Sequence, residues 1–401
     1  MRRLLFLSAM LGLAAAWMLL EVSSSGDWPA DSRPAVDALI DGRIGDYLSA
    51  KAMMGPFATV VQAPFAALGE SGLDRFRWAS APCLLALGLL GLYLASIARR
   101  RGASVAGQAV ICVICVLNPL TFEALQNGHP EELLTAALCV AAIASAAEGR
   151  RWQTGLLLGL AVASKQWAVI AILPALMALP SGRLRVGIGA AAVAALLFLP
   201  SVVASPESFL GVQSQAAGTG QRVTPWSVWY PAASTETEIY HVGGERLVAE
   251  VENAPKLVGP LSHPLIVLLA LAVPLAVGLR RGLPLSGSDA FALLALLALL
   301  RCVLDPVDNL YYHAPLLLAL IGWDAFSTRG LPLRGLAGVA VALLFWRAWH
   351  DLSDPAGFNA VYLSVVLALG AVLLSSLFRP IRWTAVPVTA LFELRSPNFR
   401  D

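Results

Sequence analysis

The amino-acid sequence predicts an all-α protein that crosses a membrane about twelve times. Of its 401 residues, 58% are hydrophobic and only 13% are charged, whereas a soluble domain has roughly 45–50% apolar and about 25% charged residues. The mean hydropathy is +0.71. The apolar residues also form blocks close to the roughly 20 residues that a helix needs to cross a bilayer. Because the net charge is only +2 and there is no basic patch, we expect no nucleic-acid partner.

The apolar blocks alternate with arginine clusters along the chain. The blocks lie near residues 4–22, 78–98, 104–122, 131–147, 152–164, 166–180, 186–204, 263–279, 288–304, 313–327, 335–350 and 358–378. The clusters are Arg2–Arg3, Arg99–Arg101, Arg150–Arg151, Arg183 with Arg185, Arg280–Arg281, Arg329 with Arg334, and Arg379 with Arg382. The positive-inside rule places such clusters on the cytoplasmic side of the membrane. We therefore expect both termini to be cytoplasmic.

Two of these regions allow a second interpretation. The first block resembles a signal peptide, but it is longer than a usual h-region and lacks an A-x-A cleavage site, which favours a retained helix. Residues 152–180 form either one long helix or two short ones. A single helix would place Arg183 and Arg185 outside the cell. A hairpin that turns near Ser164–Lys165 keeps every arginine cluster inside, so we expect the hairpin.

This topology separates the charges. Most Asp and Glu residues lie on the outer side of the membrane, and all five histidines lie at or beyond the outer ends of the segments; these are His129, His241, His263, His313 and His350. We therefore expect a polar working surface on the outer face. The chain is predicted to form one membrane domain, with a first half at 1–204 that includes an outer loop at 21–77, a second outer loop at 205–262, and further membrane segments at 263–401.

The first outer loop holds an acidic group followed by apolar chain. Its aspartates are Asp27, Asp31, Asp37, Asp41 and Asp46. A carboxylate beside a membrane-surface pocket can act as a general base, although five acids in an exposed loop can also be merely solvated. Residues 34–50 have the apolar spacing of an interfacial amphipathic helix. Residues 53–69 are apolar but carry two prolines, which predicts an interfacial or re-entrant element broken by Pro56 and Pro64.

Two further polar features interrupt the apolar chain. Residues 126–134, QNGHPEELL, contain His129, Glu131 and Glu132. Pro130 and the two glutamates suit the first turn of a helix, but helix capping does not explain the histidine. Lys165 stands between two apolar segments, where a lysine needs either an anion or a snorkelling conformation. A lipid phosphate at the outer interface would satisfy it.

The remaining outer candidates are one short loop and one aromatic stretch. Residues 305–313 form a polar loop that ends at His313, and Arg301 lies just before this loop. Trp226 and Trp229 would stack on a sugar or belong to an interfacial aromatic belt. The five cysteines all lie in apolar segments, so we predict no disulfide. The sequence has no phosphate-binding glycine loop, no dinucleotide fingerprint and no H-E-x-x-H, and we expect neither a metal nor another cofactor.

Four stretches of the first half resemble glycosyltransferase family 87 within the GT-C class of integral-membrane glycosyltransferases. They are DSRPAVDALIDG at 31–42, GPFATVVQAPFAAL at 55–68, GHPEELL at 128–134 and GLLLGLAVASKQWAVIAILPALMALP at 155–180. The resemblance implies a GT-C-like helical bundle with interfacial helices in the first outer loop. It departs from the family pattern at two places. Ser32-Arg33-Pro34 stands where aromatic residues usually follow the catalytic Asp, and His129 and Glu131 replace a Gln/Asn pair.

The resemblance also implies roles for individual residues. The catalytic base maps best onto Asp31, with Asp27 and Asp37 as rivals, and Lys165 would contact the donor phosphate. The wider set of substrate-binding candidates is His129, Glu131, Glu132, Lys165, Gln166, Arg301, Trp226, Trp229 and His313.

The expected activity is an inverting transfer of a sugar, with mannose as the implied sugar, from a polyprenyl-phosphate donor. The acceptor would be a glycolipid or polysaccharide of the cell envelope, and the active site would face the extracytoplasmic side of the cell membrane, in contact with its lipids. The alternative is a transporter or flippase of a lipid-linked sugar. A transporter places its key charges near the bilayer midplane, whereas the candidates here lie at the outer ends of segments.

Overall fold

The computed structural model describes residues 2–50, 52–218, 222–242, 245–327 and 329–378. Arg379 and Arg382 of the last arginine cluster lie outside the described residues. The first part of the chain folds into helices α1 (Arg2–Glu21), α2 (Trp28–Asp31), α3 (Arg33–Ile40), α4 (Ile44–Ser49), α5 (Pro56–Ala66), α6 (Gly72–Arg100), α7 (Val105–Val116), α8 (Pro119–Gln126) and α9 (Pro130–Ala147).

The second part continues the helical bundle. Its α-helices are α10 (Arg151–Ser164), α11 (Ile172–Ala178), α12 (Arg183–Ala204), α13 (Pro206–Gly218), α14 (Val258–Arg281), α15 (Gly287–Leu304), α16 (Ala314–Ser327), α17 (Leu333–His350) and α18 (Pro355–Phe378). Short 3-10 helices lie at Gln166–Ala171, Tyr230–Ala232 and Leu310–His313. Strands β1 (Ser234–Val242) and β2 (Glu245–Asn253) form an antiparallel hairpin that pairs Ser234 with Asn253 and Val242 with Glu245.

The protein is a multi-pass membrane protein. Within the described residues, seven helical spans are long and apolar enough to cross a bilayer, namely Gly72–Arg100, Val105–Gln126, Pro130–Ala147, Arg183–Ala204, Val258–Arg281, Gly287–Leu304 and Pro355–Phe378. The predicted segments that correspond to α1, α10, α11, α16 and α17 are not among these seven spans, so the predicted number of twelve crossings is not confirmed. The predicted helical character of the membrane bundle is confirmed.

Residues 152–180 form the predicted pair of short helices. Helix α10 ends at Ser164, Lys165 is extended with φ −150° and ψ 134°, and a 3-10 turn leads into α11. The guanidinium of Arg151 contacts the hydroxyl of Ser181. The two ends of this segment therefore meet, as a hairpin requires, and Lys165 lies at its tip.

Three expectations about the loops need correction. Residues 34–50 form two short helices, α3 and α4, instead of one, because the chain turns at Gly42 with φ +69°. Pro56 does not break the next element; it begins α5, and Pro64 is accommodated within the same helix. The second outer loop contains the β-hairpin, which an all-α prediction did not include. Its Thr and Glu alternate along β1 in the pattern of a solvated strand.

Helix α9 lies at the centre of the bundle and packs against α6, α10, α15 and α16. Its sequence, PEELLTAALCVAAIASAA, is mostly buried, and its alanines let neighbouring helices approach closely. Since α9 begins at Pro130, its first turn carries two glutamates into the middle of one end of the bundle. That end contains the candidate site.

Candidate active site

Two glycines fasten the first outer loop to the start of α9. The Asp27 N–H donates to the Asn127 carbonyl across 3.1 Å. A Cβ on Gly26 would lie 2.1 Å from the Asn127 carbonyl carbon, and one on Gly128, which has φ +83°, would lie 2.3 Å from the Ser25 carbonyl oxygen. Only glycine permits this approach of two backbones. The contact brings Asp27 and Asp31 next to His129.

His129 lies between carboxylates. Its Nε2 is 3.6 Å from Oδ2 of Asp27, and its Nδ1 is 3.1 Å from Oε1 of Glu131. Asp31 joins them, because Asp27, Asp31 and His129 each place a polar atom within 4.8 Å of the others. Burial disfavours the charged imidazole, but hydrogen bonds to Asp27 and Glu131 outweigh it and raise the pKa of His129 to about 9. At neutral pH this side chain is therefore an imidazolium.

Lys165 joins the same cluster from the tip of the hairpin. Its Nζ lies 3.0 Å from Oε1 of Glu131 and 3.4 Å from Oε1 of Glu132. Burial disfavours its charge, but the two glutamates outweigh burial and raise its pKa. The Gly55 N–H donates to the Ser164 carbonyl across 2.8 Å, so the start of α5 fixes the turn that presents the lysine. Its first partners are thus carboxylates of α9.

Aromatic rings and an arginine form one wall of the cluster. The Trp167 indole N–H donates to Oε2 of Glu132 across 2.7 Å. The guanidinium of Arg301 lies over Trp167 at 4.7 Å and over Tyr312 at 4.5 Å. The Tyr311 ring stacks on His129 at 5.2 Å. The sequence pointed to Arg301 and to the polar loop 305–313, which contains Tyr311 and Tyr312, but it gave these two rings no role and did not point to Trp167. Trp167 could have been found by its position two residues after Lys165.

The three candidate bases differ in their surroundings. Burial raises the pKa of Asp31, although nearby His129 opposes this effect. Among the described residues, no hydrogen bond or ion pair engages the Asp31 carboxylate. His129 holds the pKa of Asp27 below its usual value, and the Asp27 side chain is 75% exposed. Asp37 is held by Arg33 at 3.1 Å and Arg75 at 2.9 Å. Of the three, Asp31 has the environment that suits a base.

A cavity lies beside the chain segment that contacts the backbone of Asp31. The Met53 N–H donates to the Asp31 carbonyl across 3.2 Å, and Met53 lines a cavity between the first outer loop, Gln166 and helices α12 and α13. Phe198 and Phe209 give its far wall an apolar surface. The predicted candidate Gln166 therefore faces this cavity.

The structure does not bring Trp226, Trp229 and His313 into the cluster. Trp226 is 1% exposed and packs its ring against Phe358 and Tyr362, so it has no free face for a sugar. The Trp229 indole N–H donates to the Leu304 carbonyl across 2.8 Å. His313 forms a hydrogen bond with the Tyr362 hydroxyl, and burial lowers the pKa of His313 to about 4. These residues organise the neighbouring outer loop.

The family follows from a match over much of the chain. Residues 54–306 match the model of glycosyltransferase family 87, which is more than half of the 401 residues. The chain belongs to glycosyltransferase family 87. The matched region includes Glu131, Glu132, Lys165 and Arg301 but begins after Asp31. Membership of family 87 confirms the resemblance that the sequence motifs suggested, and the chain is a membrane glycosyltransferase.

A solved structure shares the fold of this family-87 chain. It is ArnT from Cupriavidus metallidurans bound to undecaprenyl phosphate, with a TM-score of 0.52 and 17% sequence identity. The similarity covers 93% of this chain and 70% of that one. At this identity the likeness shows the fold alone, and it confirms the predicted GT-C-like bundle. No curated protein matches the chain.

Proposed function

We propose that this glycosyltransferase moves a sugar from a polyprenyl-phosphate donor to a glycolipid or polysaccharide acceptor on the extracytoplasmic side of the membrane. The observation that carries the proposal is the cluster of Asp31, His129, Glu131 and Lys165 at one end of the bundle, beside a cavity that is lined in part by Phe198 and Phe209. Family membership supports the transfer of a sugar. The undecaprenyl phosphate bound by ArnT, which has a similar fold, supports a donor of this class. Mannose is the sugar we propose, on the resemblance to family 87.

Asp31 is the proposed base. It removes the proton from an acceptor hydroxyl, whose oxygen then attacks the anomeric carbon of the donor sugar. The bond between that carbon and the phosphate oxygen breaks, and the phosphate leaves with the bonding electrons. Attack opposite the leaving group inverts the anomeric configuration. Because a lipid phosphate already leaves readily, a base and positive charge suffice for the reaction.

Lys165 and His129 supply that positive charge. An ammonium group carries three N–H donors, and Glu131 and Glu132 occupy two of those on Lys165. The third remains for a donor phosphate that enters from the cavity. The two glutamates hold the lysine in place and keep it charged. The apolar wall that Phe198 and Phe209 form would contact the first isoprene units of the donor.

A transporter of lipid-linked sugars receives less support. Among the described residues, the buried charged side chains lie near helix ends: Glu123, Glu131, Glu132, Arg301, Asp308 and Asp324. No described span carries a charge at its centre, where a transporter binds its cargo. The cluster therefore suits chemistry at a membrane surface.

The deciding experiment compares two aspartates of the first outer loop. Purified protein in lipid nanodiscs is given radiolabelled polyprenyl-phosphate mannose and candidate acceptors. Asp31→Asn should lower the transfer rate by about 10²–10⁴-fold, the usual contribution of a general base. The control is Asp41→Asn, since Asp41 is exposed and pairs only with Arg43 among the described residues.

The pH dependence provides a second readout. Asp31 must be ionised to accept a proton, and its pKa is raised. The wild-type rate should therefore fall on the acid side at a pH above the ordinary range of an aspartate. Equal rates for wild type and Asp31→Asn would remove Asp31 from the mechanism. Movement of the intact donor across vesicles without any sugar transfer would favour the transporter.

A further inference from the structure

A second polar cluster lies beside the active-site wall, where α15 ends and the outer loop 305–313 begins. It consists of Cys302, Asp308 and His313, each of which places one potential metal-binding atom within 4.8 Å of the others. Cys302 and Asp308 are fully buried, and the His313 side chain is 12% exposed. None of the three belongs to the proposed transfer mechanism.

The carboxylate of Asp308 is the feature that most needs a ligand. Both of its oxygens are buried and, within the described part of the chain, neither accepts a hydrogen bond. A buried carboxylate without a donor is costly unless a proton or a cation neutralises it. Its backbone, in contrast, is firmly held, because the Thr224 hydroxyl donates to the Asp308 carbonyl across 2.7 Å. The carboxylate is thus fixed in place next to a thiol and an imidazole.

His313 presents the correct nitrogen to this carboxylate. Its Nδ1 lies 3.0 Å from the Leu310 carbonyl, which can only accept, so Nδ1 carries the proton and Nε2 carries the lone pair. That arrangement is typical of histidines that bind metals. Nε2 lies 3.7 Å from Oδ2 of Asp308, close to the ~3.4 Å that separates two tetrahedral ligands at about 2.1 Å from zinc. The Tyr362 hydroxyl, 2.8 Å away, competes for the same lone pair.

We propose that Cys302, Asp308 and His313 bind a divalent transition-metal ion, with Zn²⁺ as the best match. A thiolate, an imidazole and a carboxylate together are ligands that zinc accepts and that magnesium or calcium do not prefer. The ion takes the place of the thiol proton of Cys302, which passes to water. The fourth position of the tetrahedron is open to a water molecule or to the Tyr362 hydroxyl.

The ion would tie the end of α15 to the outer loop. Tyr311 lies two residues before His313 and stacks on His129, while Tyr312 lies under Arg301. By fixing both ends of this loop, the metal would position the aromatic wall of the active site. It would stabilise the site without taking part in sugar transfer.

Cobalt binding tests the proposal without any activity measurement. The purified full chain is stripped with a chelator and titrated with Co²⁺, and the absorption of a cobalt–thiolate bond is recorded. Wild type should develop this band, and Zn²⁺ should abolish it by displacement. Cys302→Ser should lose the band while keeping a hydroxyl near the Tyr312 carbonyl, which accepts from the thiol across 3.2 Å. Asp308→Asn should weaken Co²⁺ binding by at least ~10-fold, since even partners outside the ligand set cost this much.

Cys112→Ser is the matched control, because Cys112 is also buried but lies in α7; it should keep the band. A wild-type protein without the band would overturn the proposal and leave Asp308 neutralised by a proton only. A band that survives in Cys302→Ser would overturn it as well, because the ion would then bind another cysteine. If Cys302→Ser does not fold, the wild-type and Asp308→Asn titrations decide.

Discussion

At the scale of single residues, His129 is a side chain whose charge is set by its neighbours. The His129 imidazole contacts the carboxylates of Asp27 and Glu131, and its side chain forms no capping hydrogen bond with the first turn of α9. The sequence motif GHPEELL thus has two separate functions. Pro130 and the two glutamates begin a helix, and His129 provides a cation that links the first outer loop to that helix.

The charge of His129 predicts a pH-dependent stability. Its pKa is raised from 6.5 to about 9 in the folded protein, so the charged imidazole stabilises the fold fully below pH 6.5. That contribution, on the order of 3 kcal/mol at most, is lost as the pH rises toward 9. The thermal midpoint of wild type should fall over this range, whereas that of His129→Gln should not follow it.

The control for this measurement is His350→Gln, which removes a histidine that is 47% exposed and leaves the His129 cluster intact. It should reproduce the wild-type pH dependence. Parallel curves for wild type and His129→Gln between pH 6.5 and 9 would show that the His129 charge does not stabilise the fold.

At the scale of secondary-structure elements, the close contact between α5 and the end of α10 sets the position of Lys165. A Cβ on Gly55 would lie 2.1 Å from the Ala163 carbonyl oxygen. Gly55 has φ −73°, so alanine fits the backbone conformation and the conflict is purely steric. Gly55→Ala should destabilise the protein by about 1–3 kcal/mol and slow transfer, because the tip that carries Lys165 must move.

Gly45→Ala is the matched control for that change. Gly45 lies within α4, and an added Cβ there meets nothing within 4 Å. Alanine is the better helix former by up to ~1 kcal/mol, so Gly45→Ala should leave stability unchanged or slightly higher. Thermal unfolding and transfer rate measure both variants. A Gly55→Ala protein as stable and active as Gly45→Ala would show that the close approach is not required.

The elements that the sequence predicted correctly are those with a local signal. Apolar length and a proline at the first turn define α9, and the arginines flanking 152–180 demand the turn at Lys165. No local sequence pattern predicts the aromatic wall of the site, because the Tyr311 ring contacts His129 only in the folded bundle. The ion pair between Asp37 and Arg75 joins residues 38 positions apart, which no local pattern reveals. The sequence suggested a surface position for Trp226, but the folded protein buries this side chain.

At the scale of the whole molecule, the arginines near positions 100, 150 and 281 collect at one end of the bundle. Arg100 and Arg150 both pair with Glu148. The Arg101 guanidinium donates to the Phe326 carbonyl, and that of Arg281 to the Leu377 carbonyl. These contacts join the ends of α6, α9, α14, α16 and α18. The candidate active-site cluster lies at the start of α9, the opposite end of that helix. Under the positive-inside rule, this arrangement supports our proposal that the active site faces the extracytoplasmic side.

This orientation can be tested with single introduced cysteines. All five native cysteines are buried, so a membrane-impermeant maleimide should react mainly with a new, exposed one. Thr237→Cys, in β1 of the outer hairpin, should be labelled on intact cells because Thr237 is exposed. Ser181→Cys, exposed beside Arg151 at the arginine-rich end, should be labelled only after permeabilisation. Labelling of Ser181→Cys on intact cells would show that residues 152–180 cross the membrane once, and the active site would then need a different assignment.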